Sequence, residues 1–185
     1  MPKSISILGV GNRLFGDDGA GSITVDVLKE CLEVRDSGIN LYVFETLDTS
    51  LISLLEENDV VVFVDAILGV SEPKLYIVDP ESAKNEALEA VRLVDPHYLD
   101  PARLVSLAYT TRRLKARVYL VGIPAKSLEL GAELSRETLQ AIPIAIKLLL
   151  KLLEHELKTP PRVDWSCIET KLALLKSSPS NRYPT

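Results

Sequence analysis

The sequence predicts an α/β fold, a three-layer α/β/α sandwich on a five-stranded, mostly parallel (mixed) sheet with one strand antiparallel. Three observations carry that prediction. Short apolar runs alternate with segments of helical periodicity. Two of the runs, Val60-Val61-Val62-Phe63-Val64 and Val118-Tyr119-Leu120-Val121, are continuous, as expected of central strands covered on both faces. The link over residues 66–73 is too short for a full crossover between parallel strands, which needs a dozen residues or more, so the strand after it is expected in a hairpin-like, antiparallel placement.

The elements follow in order. Strands are predicted over residues 4–8, 40–45, 60–65, 74–78 and 117–121. A helix is expected over residues 21–33, with Ile23, Val27 and Leu28 on one side and Asp26, Lys29 and Glu30 on the other. Shorter helices are expected over residues 50–57, 83–90 and 100–112. The last strong helix should start at Ser135, an N-cap residue type, and run to about Lys158. Pro143 should sit in its first turns or kink it. Beyond Pro160-Pro161 the composition changes, so residues 1–158 read as a single domain and 159–185 as a partly flexible C-terminal extension.

Bulk properties exclude several classes. The chain has 185 residues, 46% of them hydrophobic, which suits one domain with a sizeable core. Its net charge of −5 disfavours a nucleic-acid surface. The most apolar stretch, residues 142–153, is interrupted by Lys147 and Lys151 and is too short to span a bilayer. Met1-Pro2-Lys3 runs directly into the first strand with no secretory signal, so a soluble, cytoplasmic protein is expected. Two cysteines, Cys31 and Cys167, suggest neither a disulfide framework nor a zinc cluster, and Cys31 reads as a small buried hydrophobe.

The chemistry starts at Gly9-Val10-Gly11-Asn12-Arg13-Leu14-Phe15-Gly16-Asp17-Asp18-Gly19-Ala20-Gly21. A glycine-rich turn between a strand and a helix is the setting of a dinucleotide loop, but Leu14 stands where the fingerprint needs its third glycine. Two adjacent carboxylates also repel the pyrophosphate that helix N-termini otherwise hold. Acids there can instead hold a cation or accept a proton. Ligands of open α/β sheets bind beyond the carboxyl ends of the strands. Asp65, after five apolar residues, should emerge at that edge, and His97 falls in the proline-stiffened run Val94-Asp95-Pro96-His97-Tyr98-Leu99-Asp100-Pro101. One histidine and two or three carboxylates converging on a crevice suit a divalent transition metal such as nickel, zinc or iron. Taken singly, each residue has a plain structural role as helix cap, turn or surface group.

Together, the glycine–asparagine–acid run, Val64-Asp65-Ala66 and Asp95-Pro96-His97 resemble the hydrogenase maturation proteases, the endopeptidases that process the large subunit of [NiFe] hydrogenases. The resemblance covers roughly residues 4–153. It implies a three-layer sandwich on a mixed sheet, with Asp18, Asp65 and His97 as metal-binding and catalytic residues. It also implies that nickel arrives already seated in the large-subunit precursor, so that the free enzyme is metal-empty, and that cleavage removes a short C-terminal extension. Asp17 is left as a secondary acid, a candidate base for a water in the crevice. Family members usually carry an Asp-Gly-Gly-Thr-like segment after the second strand; here the chain reads Glu45-Thr46-Leu47-Asp48-Thr49-Ser50. Glu45, Asp48 and Thr49 are the substrate-recognition candidates, without the glycines' freedom for close backbone approach. Two other readings follow: a non-catalytic protein that binds the immature large subunit and checks its metal, and a dinucleotide-dependent oxidoreductase resting on Gly9-Val10-Gly11 alone.

Overall fold

The computed structural model describes residues 3–33, 38–80 and 99–177. The sheet is built from β1 (Ile5–Val10), β2 (Ile39–Phe44), β3 (Val60–Leu68), β4 (Lys74–Ile77) and β5 (Arg117–Ala125) in the order β2-β1-β3-β5-β4. Strand β1 pairs in parallel with β2 and β3, and β3 pairs in parallel with β5. Strand β4 runs antiparallel, as its short link demands, but its partner is β5 and not β3. The expected hairpin does not form, because the longer, more apolar β5 takes the place beside β3.

The helices are α1 (Ala20–Cys31), α2 (Ile52–Glu57), α3 (Pro101–Thr110), α4 (Arg136–Leu157) and α5 (Trp165–Ser177). The predicted helix over residues 83–90 lies outside the described residues. Period-two alternation divides the strands between two cores. Ile5, Ile7, Val60, Val62, Val64, Val121 and Ile123 pack with α1, α4 and α5. Leu8, Val61, Phe63, Val118 and Leu120 pack with α2 and α3 on the other face. Asp65 continues the parity of Val61 and Phe63 and so belongs to the α2–α3 side.

Caps hold the helix starts, at Ser135 as the sequence suggests and also at Asp100. Ser135 accepts from the Thr138 amide at 3.2 Å and Asp100 from the Arg103 amide at 2.8 Å, with Pro101 at the first helical position. Pro143 lies inside α4, beyond its first turn.

The C-terminal extension contains a helix that the sequence reading did not expect. Helix α5 buries Ile168 and Leu175 in the α1–α4 core, and the Asp164 carboxylate caps it by accepting from the Ser166 and Cys167 amides. The Leu32–Val163 bridge precedes it. Cys31 and Cys167 form a disulfide, Cα to Cα 5.6 Å, which corrects the expectation of two unpaired cysteines. Their separation of 136 residues carries no spacing signal; only the packing of α5 on α1 makes them neighbours. Among the described residues no helix is long and apolar enough to cross a membrane.

Candidate active site

The order β2-β1-β3 means the chain leaves β1 toward one side for β2 and lies beside β3 on the other. Such a topological switch point opens a crevice beyond the carboxyl ends of the strands. The β1–β3 ladder ends at Gly9–Val64, one residue before Asp65, while β3 itself continues to Leu68 against β5. Asp65 is therefore inside its strand, not at the strand end, and lies where the neighbouring strand has departed.

Two glycines bring Asp18 to the same place. A Cβ on Gly21 would meet the Val64 carbonyl oxygen at 2.1 Å and that of Val10 at 2.4 Å. Helix α1 thus sits directly on the ends of β1 and β3, as only glycine permits. Gly11, at φ +120°, lies under the turn that follows it, and a Cβ there would stand 1.8 Å from the Asp18 carbonyl oxygen. Within that turn Asn12 accepts from the Leu14 amide through its side chain, at 2.8 Å. A single 3-10 turn over Gly16–Gly19 then carries both acids.

The resulting cleft has a volume of about 400 Å³. Asp18, Asp65, Asp100 and Glu45 supply its acids, while Phe15, Leu47, Leu99 and Leu128 supply apolar wall. Asp18 accepts the Asn12 amide at 2.6 Å. That bond uses an amide that a bound phosphate would need, which counts against the dinucleotide reading. Burial pushes the Asp18 carboxyl above its ordinary range, against the pull of the Asn12 amide. Asp65 opens onto the cleft but is otherwise enclosed by protein. Burial first, and then the Asp18 charge, push it up to about 7; the Ala66 amide at 2.8 Å opposes this, and the Asp100 charge adds to it. Two carboxyls held above their ordinary range in one cleft, one of them raised by the other's charge, form a site that gains from a cation or a shared proton.

The other candidates fall in different places. Glu45 is exposed and lines the cleft with Thr46 and buried Leu47. Asp48 is committed to capping the 3-10 turn Thr49–Leu51, taking the Ser50 amide at 2.6 Å, and neither Asp48 nor Thr49 lines the cleft. Asp17 has a task other than the one expected of a secondary acid. It is fully buried, does not line the cleft, and accepts from the amides of Lys126, Ser127 and Ser135. His97 lies outside the described residues. Sequence reading overlooked Asp100 and Leu128. The Asp-Pro pair at the start of α3 was the available signal for the first; nothing local marks the second.

Fold and cleft define an α/β/α domain that presents paired acids at the switch point of its sheet. The chain matches the family model described as HycI, hydrogenase maturation protease, over residues 25–152, a stretch that contains Asp65 and His97 and begins beyond Asp18. It is 33% identical over 147 residues to Protein FrxA of Pyrococcus furiosus, covering 76% of this chain and 98% of that protein. The [NiFe] hydrogenase maturation protease HycI from Thermococcus kodakarensis superposes with a TM-score of 0.61 at 28% identity, covering 85% of this chain and 94% of that one. The hydrogenase maturating endopeptidase HybD of E. coli, at 24% identity, shares the fold with a TM-score of 0.67 over 86% of this chain and 98% of its own. The protein belongs to the hydrogenase maturation protease family, a family of endopeptidases.

Proposed function

We propose that this protein is a nickel-dependent endopeptidase that removes the C-terminal extension of a [NiFe]-hydrogenase large-subunit precursor. The observation that carries this reading is the pairing of Asp18 and Asp65 in one cleft at the switch point, with Asp65 held near pKa 7. Oxygen donors of this kind, joined by an imidazole, suit a divalent transition metal. The reading takes His97 as that imidazole; in sequence it stands two residues before Leu99, which lines the cleft.

The nickel belongs to the substrate. Asp18, Asp65 and His97 grip the metal seated in the precursor and so bring the scissile bond into the cleft. A metal held there supplies Lewis acidity toward the carbonyl or lowers the pKa of a water. The chain's own contribution is position and proton affinity. Asp18 is aimed by the Asn12 amide, and Asp65 can hold or release a proton close to neutral pH. Glu45, which lines the cleft, meets the substrate there, while Asp48 and Thr49 act by shaping the loop that follows it. On this reading the cleavage takes place in the cytoplasm.

Incubating the protein with nickel-loaded and nickel-free precursor tests the reading. Loss of the C-terminal extension from the loaded form alone is expected. Cleavage by Asp18→Asn and His97→Ala at the parent's rate would sink the site assignment.

One observation favours a second reading, a non-catalytic protein that holds the immature large subunit and checks its metal. The wall formed by Glu45, Thr46 and Leu47 contains no glycine, and Asp48 is spent on a cap. Stable co-purification with a precursor whose extension stays intact would decide for it.

A further inference from the structure

Asp17 is a fully buried carboxylate that the proposed reaction does not use. One of its oxygens accepts the Lys126 amide at 2.7 Å and the Ser127 amide at 3.2 Å; the other accepts the Ser135 amide at 2.6 Å. Its own amide donates to the Ser127 carbonyl at 3.0 Å. The two segments are also pressed together around it. Gly16, at φ +57°, has room for no Cβ, since one would stand 2.9 Å from the Ser127 oxygen and 3.2 Å from the Ala132 Cβ. The Gly131 amide donates to the Leu14 carbonyl at 2.6 Å.

What this fastening joins is the point. On one side is the 3-10 turn carrying Asp18, and with it Phe15; on the other is the segment after β5 that contributes Leu128. Phe15, Asp18 and Leu128 all line the cleft. A buried charge with three backbone donors has its orientation set by directional, charge-assisted bonds, and it transmits that order to whatever shares its turn.

We infer that Asp17 is a positioning residue: by clamping residues 126–135 to the Gly16–Gly19 turn, it fixes the Asp18 carboxylate and the Phe15–Leu128 wall as one rigid side of the cleft. The inference rests on the proposed cleavage reaction for its consequence in rate, but not for its structural content.

The test is Asp17→Asn, read in two ways. An amide has one acceptor oxygen, so its NH2 must face at least one of the three backbone donors. The first readout is amide hydrogen exchange by NMR on the free protein. The Asn12 amide, which donates to Asp18, should exchange faster relative to Leu8 in the core of β1, together with Lys126, Ser127 and Ser135. The second is steady-state cleavage per folded molecule. Misplacing a reacting group by about 1 Å costs on the order of 100-fold in rate, so kcat should fall roughly 10- to 100-fold while KM changes by less than about threefold.

Faster exchange confined to residues 126–135, with Asn12 unchanged, would overturn the inference, as would an unchanged kcat per folded molecule. If the parent cleaves no nickel-loaded precursor, the proposed function fails and the Asn12 exchange rate alone decides this point. Should Asp17→Asn not fold, Ser135→Pro serves. At φ −64° the ring fits; it deletes the Ser135 amide that donates to Asp17 and also the hydroxyl that caps α4, so Ser135→Ala, which loses the cap but keeps the amide, is run beside it. Acceleration at Asn12 beyond that of Ser135→Ala is expected, and equal rates in the two variants count against the inference.

Discussion

Replacing Asp65 by asparagine should stabilise the fold at pH 8 while removing activity. In the unfolded chain this carboxyl loses its proton near its ordinary 3.8, whereas in the folded protein burial and the Asp18 charge keep the proton on until about 7. Between those values the folded state binds more protons than the unfolded one. Stability therefore falls as pH rises through that window, and the loss is complete above it. Each tenfold change in acidity corresponds to ~1.4 kcal/mol, so a rise of about three decades costs about 4 kcal/mol. Asparagine carries no charge to desolvate or repel, and its carbonyl oxygen can still accept the Ala66 amide.

The variant should gain up to ~4 kcal/mol over the parent at pH 8, on the order of 10 °C in Tm for a domain of this size. The advantage should shrink toward zero near pH 4. Urea denaturation of both proteins at pH 4.5, 6 and 8 measures it. A difference that stays constant with pH, or a parent more stable than the variant at pH 8, would show that Asp65 is not held uncomfortably charged in the cleft.

Three further outcomes are expected. Asp18→Asn removes the second-largest cause of the Asp65 shift, so the Asp65 carboxyl should titrate at lower pH than in the parent, as followed by 13C NMR. Reducing the Cys31–Cys167 bond, or replacing both cysteines by serine, releases a closure of 136 residues; the chain-entropy relation gives a loss of about 5 kcal/mol at most, seen as a lower Tm, with the cleft's reactivity per folded molecule unchanged. Gly21→Ala places a methyl 2.1 Å from the Val64 carbonyl oxygen and must push α1 off the sheet, costing roughly 1–3 kcal/mol and displacing the Asp18 turn; thermal melts and the Asn12 amide shift report both.

Much of this architecture is written locally. Continuous apolar runs at Val60–Val64 and Val118–Val121 announced the two central strands, and Ser135 announced a helix start through its cap. Asp18 was legible because a turn that imitates a nucleotide loop places an acid where phosphate belongs, and Asp65 because a polar residue follows five apolar ones at the expected strand end.

What could not be read depends on partners far along the chain. Asp17 looks like its neighbour until the backbone amides that donate to it are seen, and these are 109 to 118 residues away. The disulfide spans 136 residues, and it forms because Ile168 and Leu175 seat α5 on the core; nothing local marks that helix or its docking. The partner of β4 was misjudged for the same reason, since a short link fixes direction but not which strand lies alongside. Asp100 was read as a helix start and its charge was overlooked, because only the fold turns that charge toward Asp65.

The central claim is that Asp18 and Asp65 act together on a metal carried by the substrate. Cleavage of nickel-loaded precursor by the parent, by Asp18→Asn and by Asp65→Asn, each at equal folded concentration, tests it most directly. The account predicts release of the C-terminal extension by the parent, loss of at least about 100-fold in rate in either variant, and no cleavage of nickel-free precursor. Equal cleavage of loaded and empty precursor, or either variant working at the parent's rate, would contradict it.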